Sequence, residues 1–263
     1  MLKKIIPALS LLLCASPLYA AHPLVSDDTG TQGQGNWQLE LNSEFFSDRE
    51  REGGITQKES GGEVSAALSF GLSDRIDLVV GCPLAWYEVK EDGVVAADES
   101  GIGDLSVELK WRFFDDDRSG FSLALKPGLS LPTGDEHKGL GSGEISGGVL
   151  LIATKESGPL TLHANVGYTR NGYALQEDEE GLRRDIWSAS FAGEYELSEK
   201  LRAVADIGMA TNEEKGSAEH PAFLLGGLIY SASENLDLDC GFKAGLNDAE
   251  TDSTFLVGMA TRF

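Results

Sequence analysis

The sequence predicts an all-β protein: an antiparallel transmembrane β-barrel of about 12 strands, with short periplasmic turns and longer extracellular loops. Three observations predict it. Apolar residues recur at every second position in segments of about ten residues, split by Gly, Asp, Asn and Ser clusters. The apolar parity of those segments contains no Asp, Glu, Lys or Arg. The chain also ends on such a segment, with Phe263 last and Thr261, Met259, Val257 and Phe255 before it at alternate positions.

The chain has 263 residues, a formal charge of −22 and 24% charged residues. That acidic balance excludes a nucleic-acid binder, which needs a basic footprint. Mean hydropathy just below zero excludes a bundle of membrane helices. It leaves a membrane barrel open, because alternating faces average out. No run of 18 apolar residues occurs.

Residues 1–21 read as a secretory signal. Lys3 and Lys4 precede an apolar run too short to span a bilayer as a helix, and Ala20 and Ala21 offer a cleavage site. Cys14 raises a lipoprotein alternative, which Leu13 before it disfavours. Residues 22–35 are polar and form either a lumen plug or a periplasmic tail. Residues 36–263 form the barrel.

Twelve segments follow in order. Their apolar parities begin with Trp37, Leu39, Leu41 and Phe45, then Val64 to Phe70, Ile76 to Trp86, and Leu105 to Phe113. Later ones carry Leu123, Leu151, Val166, Phe191, Ile207, Leu228, Phe242 and Phe255. A charged side chain facing lipid costs about 2–4 kcal/mol near the midplane, which explains the missing charges. All four tryptophans, Trp37, Trp86, Trp111 and Trp187, share the apolar parity, mostly near segment ends. That is the pattern of aromatic girdles at two interfaces rather than of a sandwich core. Short turns near Ser73, Asp116, Glu156, Ser198 and Ser233 alternate with loops at 47–60, 89–101, 133–142, 172–183, 211–220 and 247–252. Cys82 and Cys240 fall on strands that are not neighbours and should stay unpaired.

The segment His22-Pro-Leu-Val-Ser-Asp-Asp-Thr-Gly-Thr-Gln-Gly-Gln-Gly-Asn-Trp resembles the opening of an outer-membrane barrel family named for the meta-pathway of phenol degradation. Gly101-Ile-Gly-Asp-Leu and Leu131-Pro-Thr-Gly-Asp resemble its internal motifs. The resemblance covers the whole mature chain. It implies a barrel with a transport role and transfers no residue role. Phe263, ending the last strand, resembles the signal read by the outer-membrane assembly machinery.

The opposite parity should line the lumen. It holds Glu40, Glu44, Glu63, Asp77, Glu108, Lys110, Arg112, Lys126, Glu144, His163, Glu194, Arg202, Asp206, Asp237, Asp239, Lys243 and Arg262. Two readings stand: a narrow polar pore whose acidic excess disfavours anions, or paired charges that brace the wall. Leu150, Ile152, Phe223, Leu225 and Ile229 are apolar on this parity too. They read as a stripe for a hydrophobic or aromatic solute, as contacts to an internal plug, or as a slipped register.

The loops are acidic, notably at 177–180 and Glu213-Glu214. They either bridge to lipopolysaccharide through divalent cations or are solvated faces. No cofactor or metal motif occurs. A rim hydrolase would need His220 beside Ser253, but two strand spacings put them roughly 10 Å apart, so no enzyme is expected. The function expected is a channel in the cell outer membrane for small, hydrophobic or aromatic solutes. The alternative is a structural or adhesive barrel with a closed lumen. The expected partners are outer-membrane lipid and lipopolysaccharide, the assembly machinery and a small-molecule solute.

Overall fold

The computed structural model describes residues 22–52 and 54–263; the expected signal, 1–21, lies outside the described residues. Thirteen strands are described. They are β1 (Trp37–Glu52), β2 (Ile55–Ser73), β3 (Ile76–Glu91), β4 (Val94–Ile102), β5 (Leu105–Asp116), β6 (Phe121–Leu131), β7 (Ser146–Ser157) and β8 (Leu160–Arg170). The remainder are β9 (Asp185–Ser198), β10 (Leu201–Ala210), β11 (Ala222–Ser233), β12 (Leu236–Gly245) and β13 (Ser253–Arg262).

Twelve of these strands close a ring, each antiparallel to its neighbours, as the sequence predicts. β1 pairs β2, β2 pairs β3, β3 pairs β5, and pairing then runs in chain order to β13, which returns to β1. Closure leaves no ladder edge exposed to lipid around the ring. At the seam Trp37 and Phe263 exchange both backbone hydrogen bonds, at 2.8 and 2.9 Å.

The thirteenth strand was not expected. β4 occupies the predicted loop 89–101 and pairs only with the outer half of β3, from Leu84↔Ile102 to Glu91↔Val94. β5 takes the inner half of β3, Ile76 to Gly81. The β3–β4 turn is Asp92-Gly93, with φ of 46° and 85°. Such a pair suits the right-handed twist of a hairpin. The predicted loop 47–60 is likewise strand, since β1 and β2 extend to Glu52 and Ile55. Both hairpins carry charges on both faces. Beyond the hydrocarbon no rule keeps one parity apolar, so the alternation that marks strands elsewhere is missing.

The outward face is as predicted. Leu41, Val80, Leu109, Val166, Phe191, Leu228 and Phe242 are all exposed, and the four tryptophans share their side of the sheet. Aromatic pairs sit near both rims. Trp37 meets Phe70 with centroids 4.3 Å apart on the short-turn side, and Tyr168 meets Trp187 at 4.8 Å on the loop side. A bulge between Arg112 and Phe114 shifts the parity at the end of β5. It brings Phe114 to Phe121 at 6.1 Å on the short-turn rim, a contact strict alternation would not give. Cys82 and Cys240 are free, exposed, and on β3 and β12, which are not neighbours.

Replacing Leu228 by Arg places a charge on the lipid face of β11. The expected loss is about 2–4 kcal/mol, read by urea titration of the barrel folded into lipid vesicles. A loss under about 0.5 kcal/mol, the ordinary range for a solvated surface change, would contradict a lipid-facing position.

Candidate functional site: the lumen and its N-terminal segment

Residues 22–36 lie inside the ring and touch most of it in sequence. His22 binds Asp239 on β12. Leu24 packs with Ala192, Val204, Phe223, Leu225, Ile229 and Leu256, on β9 to β11 and β13. Val25 N and Ser26 N donate to Asp206 Oδ2 at 2.8 and 2.7 Å, and Ser26 Oγ reaches Asp206 Oδ1 at 2.9 Å. Asp27 is fully enclosed, with Lys110 Nζ at 2.8 Å and Lys126 Nζ at 3.0 Å. Thr29 N donates to Thr154 Oγ1 at 3.1 Å on β7. Gln32 N donates to Asp77 Oδ2 at 2.9 Å on β3. At the exit, Gly33 (φ 79°) runs against Gly71, where a β-carbon would lie 1.8 Å from the Gly33 carbonyl oxygen. Only glycine admits that approach.

The strongest cluster is Asp27, Lys110, Lys126 and Glu108. Lys126 bridges Asp27 and Glu108, both at 3.0 Å, and all three side chains are nearly inaccessible. Charges taken from water need partners of this kind. Asp28 lies 3.4 Å from Lys110. Burial alone would raise its pKa, but the Lys110 charge and the Gly30 amide outweigh that and hold it down, to about 2. Its contribution is therefore complete above the ordinary carboxylate range and fades only as pH falls toward that value.

A second network runs along the short-turn mouth. His163 Nε2 meets Glu194 at 3.3 Å, Arg202 meets Glu194 at 2.7 Å and Asp237 at 3.6 Å, and Arg262 meets Asp237 at 3.1 Å. Between this ladder and the N-terminal segment lies a cavity of about 640 Å³.

The predicted lumen residues divide by position. Glu40, Asp77, Lys110, Arg112, Lys126, His163, Glu194, Arg202, Asp237, Asp239 and Arg262 line that cavity. Glu108 and Asp206 are buried beside it. Glu44 and Glu63 face each other on the inner side of β1 and β2, away from it. Lys243 pairs with Glu250 at 3.0 Å and stands 5.6 Å from the Phe223 ring. Glu144 is on no strand. It is exposed in the loop before β7, because β7 begins at Ser146 rather than in the run containing Ile145.

The apolar stripe divides in two. Phe223, Leu225 and Ile229 share a cluster with Leu24, whereas Leu150 and Ile152 pack with Ala124 on β6. The register is not slipped: Leu151 is exposed and Leu150 buried. Phe263 is exposed at the short-turn rim.

Sequence reasoning missed Asp104. Its carboxylate accepts from Thr133 N (3.1 Å), Gly134 N (2.9 Å), Ser142 N (2.9 Å) and Ser142 Oγ (3.0 Å). It thereby ties Gly101-Ile-Gly-Asp-Leu to Leu131-Pro-Thr-Gly-Asp. The loop so held puts Leu140 against Ala85, Tyr87 and Val89, and Tyr87 Oη donates to the Lys138 carbonyl at 2.7 Å.

Closed ring, apolar exterior, aromatic rims and a polar, filled interior define an outer-membrane β-barrel, whose place is the outer membrane. Residues 26–263 match the family described as "Putative MetA-pathway of phenol degradation", and the chain belongs to that family. Among solved structures it is similar to an outer membrane channel from Pseudomonas putida F1, with 14% identity, a TM-score of 0.65, and coverage of 90% of this chain and 98% of that one. It is similar to the NanC porin at 9% identity and TM-score 0.56, covering 85% and 98%. It is similar to the CymD monoaromatic hydrocarbon channel at 10% identity and TM-score 0.50, covering 88% and 89%. No curated protein matches the chain. The likeness to these structures is one of fold, shared with channels and porins.

Two outcomes follow from the contacts. Asp27→Ala strips two enclosed lysines of a shared partner and should cost about 3–5 kcal/mol, read as a lower unfolding midpoint and as faster protease cutting within 22–35. Asp104→Ala should leave the ring intact while amide exchange across 133–142 accelerates at least about tenfold, since four hydrogen bonds to one carboxylate are lost.

Proposed function

We propose that the chain is an outer-membrane channel for small hydrophobic solutes, closed at rest by residues 22–35 acting as a lumen plug. One observation carries this reading: five apolar side chains stand on the inner wall of β7 and β11. A porin interior is polar, because water fills it. Here Phe223, Leu225 and Ile229 are covered by Leu24, so displacement of the segment would bare an apolar wall. Leu150 and Ile152 add apolar surface on a separate arc, four strands round the ring. The segment is held by hydrogen bonds, ion pairs and one apolar contact rather than by strand pairing, so it can move without opening the ring.

Membership of the family supports a transport role. The CymD structure, a monoaromatic hydrocarbon channel, supports an aromatic solute as the first one to try. Catalysis forms no part of the proposal. His220 Nδ1 accepts from Asn212 N at 3.3 Å within its own loop, and Ser253 lies on β13 beyond the whole of β12. Lipopolysaccharide and the assembly machinery, the latter reading the Phe263 strand, are proposed as partners on the sequence alone.

A second reading has its own observation. The segment touches nearly every strand, which suits a permanently closed structural barrel. Toluene uptake decides between them. Cells lacking the protein should accumulate toluene more slowly, the wild-type gene should restore the rate, and a variant without 23–35 should match or exceed it and show larger single-channel conductance. Equal uptake in all three strains, with no conductance from either protein, would leave the structural reading.

A further inference from the structure

The outer half of the wall on β1 and β2 is acidic. The register sets Glu44 across from Glu63 and Asp48 across from Glu59, all on the inward parity. Like charges directly opposite on adjacent strands repel. In this half Lys243 is engaged with Glu250 at 3.0 Å and Lys138 with Glu99 at 3.2 Å. A backbone N–H from Asp252 reaches Asp48 at 3.0 Å. Glu59 is the extreme case. It is 4% exposed, and its Oε1 has no hydrogen-bond partner among the described residues. Enclosing a carboxylate oxygen without a partner is costly, and a cation brought to this wall would relieve that cost.

What lies between the two carboxylate pairs narrows the cation. Phe46 sits between Glu44 and Asp48 on β1 and packs on Ala85, Tyr87, Val89 and Leu140. The pairs are about 13 Å apart, four residues at the rise of a strand. No group of three acidic, His or Cys side chains among the described residues converges on a point that could hold a metal ion. Separated carboxylates around an apolar and aromatic patch suit an ammonium group on an apolar body, which draws on ion pairing and on the aromatic rings together.

We propose that this wall is a recognition site for organic ammonium ions, the charge held at either carboxylate pair, Glu59 with Asp48 or Glu63 with Glu44, and the body laid against Phe46 between them. The site deepens the channel reading by naming a solute class, and rests on that reading for passage though not for binding.

Calorimetric titration of the detergent-solubilised mature chain tests it with three probes: 2-phenylethylammonium chloride, neutral 2-phenylethanol and calcium chloride. The ammonium should bind at least about tenfold more tightly than the alcohol. Glu59→Gln/Glu63→Gln should erase that preference while leaving alcohol binding unchanged, and Glu44→Gln should weaken it in part. Heat-dependent gel migration confirms that each variant folds. Equal affinity for ammonium and alcohol, a preference that survives the double variant, or calcium as the ion whose binding the variants abolish would each overturn the proposal. Toluene uptake that is the same with and without the protein, alongside an intact ammonium preference, would sink the channel reading alone. Toluene uptake that depends on the protein, without that preference, would sink this site alone.

Discussion

Everything in this molecule follows from the absence of water outside the ring. Hydrocarbon offers no hydrogen-bond partner, so each backbone amide at membrane depth must pair within the sheet, and the sheet must close. Closure at Trp37 and Phe263 is the last step of that accounting. The same solvent excludes charge from the outer parity, which at membrane depth forces the charge of the strands onto the inner one. An interior filled with carboxylates and ammonium groups is thus a consequence of the exterior, before any function is considered.

That interior must then be satisfied, and a ring of alternating strands cannot do it alone. Lys110 and Lys126 lie on neighbouring strands and would repel across an empty lumen. Asp27 resolves this from the N-terminal segment, at 2.8 and 3.0 Å, while Glu108 takes the other side of Lys126. Asp206 stands the other way round, an inward carboxylate met by the amides of Val25 and Ser26. The segment thus brings an anion to the cationic arc and donors to an anionic one. This polar matching fixes its path, and Leu24 adds an apolar anchor where β11 departs from the polar rule.

The exterior was legible in the sequence because one rule governs it. Leu41, Phe191 and Phe242 needed only their parity to be placed. The interior was less legible because its partners are set by chain separated far in sequence: Asp27 and Lys126 are 99 residues apart. No periodicity announces such a pair. Glu144 was misplaced because Ile145 continues the apolar parity of β7 although the strand has not begun. The β3–β4 hairpin had a readable turn in Asp92-Gly93, yet its strands rise beyond the lipid, where alternation stops being enforced. Asp104 sat inside a motif, but only the folded loop reveals which amides its carboxylate holds.

The two halves of the lumen meet their charges differently, and the contrast bears on how a solute would travel. In the inner half, carboxylates and cations neutralise one another in a ladder from His163 to Arg262. Such a wall gives a passing solute little net field. In the outer half, four carboxylates on β1 and β2 stand opposed in pairs beside an aromatic patch. A neutral hydrocarbon would be indifferent to that step in charge and would respond to the apolar arcs of β7 and β11. A cationic amphiphile would respond to both. The position of the N-terminal segment, between the acidic outer wall and the neutralised inner one, places the proposed barrier where that distinction has already been made.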